Sequence, residues 1–547
     1  MARNILLIFA LAFLTLSPIA RNVPAGATSL GSQDPDTLLE PSVAGEARSI
    51  LDNLYRGKSD LALEQTERYI EANQDHPLPY LIKARVLREA LPEQDDNKEL
   101  IRKNAAPMHD ILDKVIDLCE TRMKAAEDDS EHRFYRGWAW MFKAQLHALG
   151  GSYWSAGRSA AKGNQDLKKY LSEHPEDPDA KGIMGTFLYF ADTLPAVIKF
   201  VKTLFFIPGG DREKGLAYLN DACAEGGLLA TDHKIILAAI YTLFEGRFED
   251  GVSRFMDLLE KYPSYLRLVE PLGVVRTFYP SKLWQLMQIE NSALDRHMAE
   301  QREGVDWDTI HRLRYHRSYS SMFFESPSAA IQEFRALVDE APDRPDWLVP
   351  LSLMNLGCIY ANLGEADKAT DACNRILEDK GMKRFHDVAE EMLEGNHLIE
   401  NSILEADAGF IRHIYILEQA WAKNGLEDYR ERKGATVLYD FYSGEALLLA
   451  GDLEEASNRF LSALDQEVPS CSQAYQLLSA VRLAEIKGVQ QDYKSAEKYL
   501  DKSLDYYHEE FLIDMLIKAR KRFYERLSKG ESDITPSVLV YAPRTLD

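Results

Sequence analysis

The chain carries the hydrophobic spacing of amphipathic helices from about Ser42 to Leu527. Apolar residues recur at positions i, i+3, i+4 and i+7, which places them on one face of a helix. The alternation of apolar and polar residues that is typical of strands is absent. The pattern therefore predicts an all-α fold, preceded by a flexible lead-in at 28–41 and followed by a tail at 529–547.

An internal period of about 34 residues is superimposed on these helices, and such a period is typical of arrays of helix-turn-helix units. The clearest unit runs from about Pro350 to Lys383 and carries small residues at fixed offsets. We expect Gly357 to allow close approach of its two helices, Gly364 to form the turn between them, and Ala369 to provide a small contact on the second helix. Bulky residues would then fill the interior of the unit.

Other segments repeat these offsets. The strongest copies carry them at Gly444, Gly451, Ala456, Phe460, Ala463 and Pro469, and at Ala239, Gly246, Phe248, Gly251, Phe255, Leu258 and Pro263. Weaker copies lie at Gly57, Ala62 and Tyr69, at Ala330, Phe334, Leu337 and Pro342, and at Tyr493, Ala496, Leu500 and Leu504. A degenerate copy with a longer interhelical segment around 150–152 has Trp138, Trp140, Leu167, Tyr170 and Pro175. Any helical bundle has apolar residues at helical spacing, but Gly and Ala at fixed offsets in separated places favour a repeat array.

These offsets resemble those of the tetratricopeptide repeat (TPR) superfamily over most of the chain. The resemblance implies a right-handed superhelical solenoid of about eight stacked helical hairpins, some of them degenerate, with a concave groove that binds a partner. It also implies that the first helix of each hairpin faces the groove. The residues at groove-facing offsets are Leu351, Met354, Asn355, Cys358 and Asn362 in one unit, Phe441, Glu445 and Leu448 in a second, and His233, Ile236 and Ile240 in a third.

The repeats differ in regularity along the chain. We expect degenerate helical repeats at 42–181, an aromatic helix with a turn and one repeat at 182–265, and TPR-like repeats at 266–528. The least regular segment, 182–227, contains an aromatic stretch at 187–207. This stretch indicates packing between two halves of the array, or else a surface that contacts a protein partner or lies in a membrane interface.

A turn of unusual composition follows the aromatic stretch, at Gly209, Gly210, Asp211 and Arg212. Pro208 would end the preceding helix, and Asp211 would cap the helix that begins at Arg212. The spacing of a phosphate-binding loop is missing here. From about Gly182 to Pro263 the aromatic helix and this turn resemble a TPR subgroup that includes the Iml2 and TTC39-like proteins. That resemblance implies a scaffold or lipid-handling role, without catalytic residues.

Length and charge add constraints. At 547 residues the chain is longer than the roughly 250–300 residues that one hydrophobic core serves, so it must form an array or several domains. Its formal net charge of -23 disfavours the binding of nucleic acid. A basic run at 311–317 has three alternative roles. It binds an acidic segment of a partner, forms a solvated helix face, or pairs with neighbouring carboxylates.

The N-terminus has the features of a secretory signal peptide at 1–27. Arg3 precedes an apolar run from Ile5 to Ala20, and the small residues Ala25 and Ala27 allow a cut after Ala27. We therefore expect an exported protein, secreted to the periplasm or the extracellular space. An uncleaved N-terminal membrane anchor is the alternative.

Signals of catalysis or metal binding are missing from the sequence. The five cysteines are widely spread without a CxxC pair, and only Cys358 and Cys373 fall in adjacent helices where a bridge merits a test. No HExxH, phosphate-loop or Gly-x-Ser-x-Gly motif occurs. We predict no enzyme activity, metal or cofactor. The expected function is a non-catalytic scaffold for protein partners, and the alternative is a lipid- or hydrophobic-solute-binding protein that uses the aromatic middle region.

Export can be tested on the mature N-terminus. When the full chain is expressed in a Gram-negative host, we expect the exported form to begin at Thr28, because the cut follows Ala27. N-terminal sequencing and intact mass of the periplasmic fraction measure this. A protein that keeps residues 1–27 and stays with the membrane would contradict the prediction and favour the anchor.

Overall fold

The computed structural model of the chain describes most of the helical region. The described residues are 41–91, 98–125, 129–193, 209–299, 307–324, 327–339, 347–394, 411–416, 419–468, 472–506 and 511–531. Within these ranges all regular structure is helical, which confirms the predicted fold class. The signal peptide, nearly all of the lead-in, residues 194–208 and the tail from 532 lie outside the described residues.

The chain divides into two compact units, and each unit contains segments from the middle of the sequence. Unit 1 comprises Met1–Ala239, Arg254–Tyr265 and His297–Asp308, and unit 2 comprises Ile240–Ser253, Leu266–Arg296 and Thr309–Asp547. Neither unit is a continuous stretch of sequence, because the middle of the chain passes repeatedly from one to the other. The boundaries expected from the repeat pattern, at 42–181, 182–265 and 266–528, stay a prediction.

Unit 1 is built from helical hairpins. Its helices are α1 (Pro41–Tyr55), α2 (Ser59–Ala72), α3 (Pro77–Arg88), α4 (Lys98–Ala125), α5 (Ser130–Leu149), α6 (Tyr153–Glu173), α7 (Pro178–Thr193), α8 (Arg212–Glu225) and α9 (Ala230–Ala239). Each helix packs on the next one in the chain, and the first helices of successive hairpins, α1, α3, α5, α7 and α9, also contact one another. This second set of contacts stacks the hairpins into an array, as in the TPR arrangement.

Unit 2 contains the later helices, of which α10, α12 and α13 run partly in unit 1. They are α10 (Phe248–Lys261), α11 (Leu266–Val275), α12 (Leu283–Ala299), α13 (Trp307–Phe324), α14 (Pro327–Asp339), α15 (Leu348–Asn362), α16 (Ala366–Glu378), α17 (His386–Leu393), α18 (Gln419–Lys433), α19 (Val437–Leu449), α20 (Leu453–Leu464), α21 (Gln473–Val489), α22 (Tyr493–Ser503) and α23 (Phe511–Ser528). A π-helical turn occupies Ile240–Phe244, and 3-10 turns occupy Arg276–Phe278, Pro280–Lys282 and Lys380–Phe385. The first helices α19 and α21 contact each other, as in unit 1. The handedness of the superhelix and the total number of hairpins stay predictions.

The hairpin turns explain the repeated glycines. Gly246, Gly364 and Gly451 adopt positive φ angles of 65°, 75° and 86° in the turn before a second helix. This backbone conformation costs a residue with a Cβ atom about 1–2 kcal/mol, so glycine fits it best. At the same place before α22, Gln491 has a φ of 60°, and no other non-Gly residue of the described ranges has a positive φ. The turn positions predicted from the sequence are thus confirmed.

Small residues at the repeated offsets lie inside the hairpins, as the pattern predicts. The buried alanines among them are Ala62, Ala239, Ala330, Ala369, Ala456, Ala463 and Ala496. Gly444 is packed tightly, because a Cβ atom there would lie 2.6 Å from Cε1 of Phe460. Gly357 is packed less tightly than expected, since a Cβ atom there would meet Sγ of Cys373 at 3.5 Å. Close approach of the helices therefore requires glycine at Gly444 and does not require it at Gly357.

The degenerate copy formed by α5 and α6 differs from the expectation. The segment between these helices is only 150–152, while the helices themselves extend over 20 and 21 residues. Trp138, Leu167 and Tyr170 are buried as predicted. Trp140 is half-buried, with Nζ of Lys162 3.8 Å from its ring centroid. The copy is thus irregular because its helices are long, and its connection is short.

Substitution of the two helix glycines tests this packing. Gly444→Ala should lower the free energy of unfolding by about 1–3 kcal/mol, because the new methyl group must displace the Phe460 ring. Gly357→Ala is the matched control: its Cβ atom has room, and alanine is favoured over glycine within a helix by about 1 kcal/mol, so stability should stay level or rise. Chemical denaturation followed by circular dichroism measures both. Equal effects would contradict the difference in packing.

Candidate functional site

Buried pairs of arginine and glutamate join the first helices of unit 2. Nε of Arg482 on α21 donates to Oε1 of Glu445 on α19 at 2.5 Å, and Tyr415 donates its hydroxyl to the same carboxylate at 2.9 Å. One hairpin further on, Arg520 of α23 binds Glu485 of α21 with nitrogen–oxygen distances of 2.9 and 2.7 Å. These four charged side chains are at most 1% exposed. Because a buried charge is strongly destabilising without a partner, the pairs tie neighbouring hairpins together.

Helix α23, the last helix of unit 2, binds the first segment of that unit, 240–253. Nη1 of Arg520 donates to the carbonyl oxygen of Gly246 at 2.7 Å, and Arg526 donates to Oε2 of Glu245 at 2.6 Å. Helix α23 also packs on the π-helical turn and on α11, and the 3-10 turns that follow α11 contact α21 and α19. The chain's own segments 240–253 and 266–282 therefore cover part of the first-helix layer of unit 2.

Six of the residues predicted to face a groove lie in the interior. They are Phe441, Glu445 and Leu448 of α19, and His233, Ile236 and Ile240 at and after α9, each at most 2% exposed. Glu445 is engaged by Arg482, as described above. His233 fills the space that Gly182 of α7 leaves, where a Cβ atom would lie 2.1 Å from its Nε2. Contacts within each unit thus occupy these side chains, and they do not present a surface to a partner.

The predicted groove residues on α15 are placed differently. Leu351, Met354, Asn355 and Cys358 are half-buried, and the side chain of Asn362 is not among those described. Asn355 donates from Nδ2 to the hydroxyl of Tyr315 at 3.1 Å. Met354 and Cys358 pack against a buried cluster that includes Cys373. Cys358 and Cys373, the pair considered for a bridge, are not joined by a disulfide.

Tyrosines from neighbouring first helices gather beside α15. The phenol of Tyr475 on α21 interacts electrostatically with the phenols of Tyr442 on α19 and Tyr319 on α13. It also interacts with the thiol of Cys358. The rings of Tyr442 and Tyr475 are 6.0 Å apart. Burial, and then the neighbouring phenols, raise the pKa of Tyr442 and Tyr475 well above the ordinary value, so both hydroxyls stay protonated.

We call this surface the tyrosine face, and it consists of Tyr319, Asn355, Cys358, Tyr442 and Tyr475. Tyr319 is 39% exposed, Asn355, Cys358 and Tyr475 are half-buried, and Tyr442 is buried. The predicted groove offsets on α15 found part of this face. The spacing along the sequence did not identify the tyrosines, because they come from three different helices. The only signal for them in the sequence was the residue type, tyrosine.

The basic run at 311–317 is engaged inside unit 2. Nε of Arg312 lies 3.1 Å from Oε1 of Glu270. Nδ1 of His316 lies 2.8 Å from Oε1 of Glu290. Both basic side chains are buried, so of the three alternatives the pairing with neighbouring carboxylates is confirmed.

The turn at Gly209, Gly210, Asp211 and Arg212 leads into α8 and packs against α7. Asp211 caps α8, as predicted, by accepting a hydrogen bond from the backbone nitrogen of Lys214 at 2.9 Å. A Cβ atom on Gly210 would lie 2.0 Å from the backbone nitrogen of Asp192, so the turn is pressed against α7. These contacts give the turn a structural role in the array.

The aromatic stretch 187–207 is described only in its first part. There Phe187, Tyr189 and Phe190 of α7 are buried. These three residues pack in the core, while 194–207 lie outside the described residues. Contact of this stretch with a lipid or a partner stays a prediction.

Unit 1 contains a buried charged cluster that the sequence analysis did not identify. Tyr55 donates its hydroxyl to Oδ1 of Asp232 at 2.7 Å, and Nη1 of Arg85 donates to Oε2 of Glu89 at 3.1 Å. The hydroxyl of Tyr265 links Arg85 and Glu89 at 3.3 and 3.0 Å. All five side chains are at most 3% exposed, and burial raises the pKa of Asp232 while Arg85 opposes the shift. The only signal in the sequence is a charged residue at an inward position of a helix.

In the described part of the chain, no helix combines the length and the apolar character that a membrane span needs. His, Cys, Asp and Glu side chains of the same residues do not form a group of three or more that could hold a metal ion.

No protein-family model matches the chain, and no curated protein matches its sequence. It is similar to the human IFIT1 dimer with PPP-AAAA, at 15% identity and a TM-score of 0.28, over 78% of this chain and 91% of that chain. The TPR domain of P58(IPK) is 12% identical with a TM-score of 0.19, over 90% and 99%. Yeast Tom70 is 12% identical with a TM-score of 0.21, over 90% and 97%. At these TM-scores neither function nor family is carried over, and the all-α fold of stacked hairpins rests on the helices described above. The resemblance of 182–263 to Iml2 and TTC39-like proteins stays a prediction.

Removal of one buried carboxylate tests the pairs between hairpins. Glu445→Ala should lower the free energy of unfolding by about 3–5 kcal/mol, because it leaves the buried Arg482 without its carboxylate. Glu427→Ala is the control, since Glu427 and Lys423 of α18 are 62% and 77% exposed and such a pair contributes about 1 kcal/mol or less. Chemical denaturation measures the difference. A loss of less than about 1 kcal/mol for Glu445→Ala would contradict a structural role of the pair.

Proposed function

We propose that the chain is an exported, non-catalytic TPR-type scaffold that binds protein partners, and that the tyrosine face is its contact surface. The observation that carries the proposal is the gathering of Tyr319, Tyr475 and Asn355 from three first helices of unit 2 on one half-buried surface. Tyrosine offers a large apolar ring with few rotatable bonds and a hydroxyl for polar contacts. For these reasons it is enriched at protein interfaces.

The frame under this face supports the proposal. The pair of Glu445 and Arg482 ties α19 to α21, the two helices that carry Tyr442 and Tyr475. A surface held in one shape before binding loses less conformational entropy when a partner arrives. The buried charges thus serve binding indirectly, by fixing the helices that carry two of the tyrosines.

The environment of the ionisable groups supports a non-catalytic role. In unit 2 the buried carboxylates Glu445, Glu485 and Glu290 each bind an arginine of the same unit. These carboxylates therefore have a structural role, because their ion pairs hold segments of unit 2 together.

Charge and the N-terminal pattern complete the proposal. The net charge of -23 supports a partner other than nucleic acid. Export is proposed from the signal-peptide pattern at 1–27, which lies outside the described residues. The alternative of lipid binding gains no support from the described aromatic residues of α7, because they are buried.

Site-specific crosslinking tests the proposed contact surface. With a photoreactive amino acid in place of Tyr475 in the native host, we expect one discrete protein adduct that mass spectrometry identifies. With that partner purified, Tyr475→Ala should weaken binding at least about tenfold, as truncation of an interface aromatic does. Tyr499→Ala is the matched control, because Tyr499 is equally half-buried but lies on the second helix α22.

Two outcomes would count against the proposal. If the identified partner binds wild type and Tyr475→Ala equally well, the contact surface lies elsewhere. If the photoreactive group at Tyr475 yields no protein adduct while the protein is folded and exported, the tyrosine face has no protein partner.

A further inference from the structure

Two histidines stack between the helices α4 and α5 of unit 1. The rings of His109 on α4 and His147 on α5 have centroids 4.4 Å apart and planes inclined by 30°. Both side chains are half-buried, and Nδ1 of His109 is buried without a hydrogen-bond partner. Next to the stack, Nζ of the buried Lys143 lies 2.5 Å from Oδ1 of Asp113. The two imidazoles thus meet in a confined place that already contains a cation.

The charged groups around the stack come from three helices. Asp110 and Asp113 face it from α4, Lys143 from α5, and Arg158 from α6. Asp113 is engaged by Lys143, so it is not available to balance a new positive charge fully. A proton on His109 would therefore be repelled by His147 and Lys143, and a proton on His147 by Lys143 and Arg158.

Helix α4 contains a proline just before the stack. Pro107 lies inside this helix. It has no N–H group, so the carbonyl oxygen of Lys103 loses its partner within the helix. On the N-terminal side, Nη1 of Arg102 donates to the carbonyl oxygen of Gly150 at 2.7 Å. The helix is thus held at its start and beyond Pro107, and the histidine stack is one of the contacts beyond it.

We propose that the stack of His109 and His147 is an acid-sensitive latch, in which protonation of either imidazole loosens the contact between α4 and α5 around Pro107. Mild acid then opens this part of the unit 1 array locally, while the rest of the chain stays folded. The proposal concerns unit 1 and is independent of the tyrosine face.

The pKa directions agree with the geometry. Burial, and then His147 and Lys143, lower the pKa of His109 from 6.5 to about 4. Burial, and then Lys143, also lower the pKa of His147. In the open form both rings return to the ordinary value, so the open form takes up protons first as the pH falls. The closed contact is therefore unaffected above pH of about 6.5 and loses stability progressively from there to about pH 4.

Hydrogen exchange of the full-length protein tests the latch. From the shift of His109 alone, the ratio of open to closed form would rise roughly 20-fold between neutral pH and pH 5. The ring is partly exposed, and solvent screening reduces this effect, so we expect at least about a fivefold rise. Exchange of peptides from 98–125 and 130–149, corrected for the intrinsic pH dependence, should increase by that factor at pH 5. Peptides from α19 and α20 should not change.

Variants assign the effect to the stack. The double substitution His109→Gln and His147→Gln should reduce the change to less than about twofold, because neither side chain can then be protonated. His386→Gln, on α17 of unit 2, is the matched control and should behave as wild type. An acid-induced increase that persists in the double variant would overturn the proposal.

A direct titration covers the case in which the double variant does not fold. In wild-type protein, the imidazole resonances of His109 and His147 should titrate below the ordinary value, with His109 near pH 4. Titration of both rings near 6.5, or equal exchange of 98–125 at neutral pH and pH 5, would overturn the latch.

Discussion

One buried guanidinium constrains the assembly of unit 2. Arg520 is 1% exposed, and its N–H groups bind the carboxylate of Glu485 and the carbonyl oxygen of Gly246. Its plane also lies over the ring of Phe248 at 5.0 Å. Burying this charge is unfavourable until every partner is in place. The partners belong to α21 and to the start of α10, so apolar burial drives the collapse of these segments and Arg520 selects the arrangement in which they meet.

The same logic extends along the first helices. Glu445 and Arg482 repeat the interaction one hairpin earlier, on the two helices that carry Tyr442 and Tyr475. In unit 1, Arg85 stands among Tyr55, Glu89 and Asp232. Each unit therefore uses arginine inside an otherwise apolar first-helix layer to tie together parts of the chain that are distant in sequence.

The sequence predicts the local part of this structure well. Helical spacing, the positive φ of Gly364 and Gly451, and the burial of Ala369 and Ala456 depend on interactions within one hairpin, and a single repeat contains all the information they need. The capping of α8 by Asp211 is local in the same sense.

The groove residues were harder to predict, because exposure depends on what covers a helix. The offsets identify the inner side of α19, but they do not reveal that the chain's own segments 240–253 and 266–282 pack on the first-helix layer of unit 2. The basic run raises the same problem: the sign of its charges is evident, while its partners Glu270 and Glu290 lie on other helices. Where no such segment intervenes, as at Asn355 and Cys358, the predicted side chains are half-buried on the tyrosine face.

The division of the chain between the two units has a consequence for the order of folding. The hydrogen bond from Arg520 to Gly246 closes a loop of 274 residues, and the contacts of Arg526 with Glu245 span 281. Contacts at such sequence distances form late, because the entropy of the intervening chain must be lost first. During synthesis, the start of unit 2 leaves the ribosome long before its partner helix exists. The middle of this protein is therefore completed only by α23, and a chain that ends before this helix lacks a finished interior at Gly246, hundreds of residues from the break.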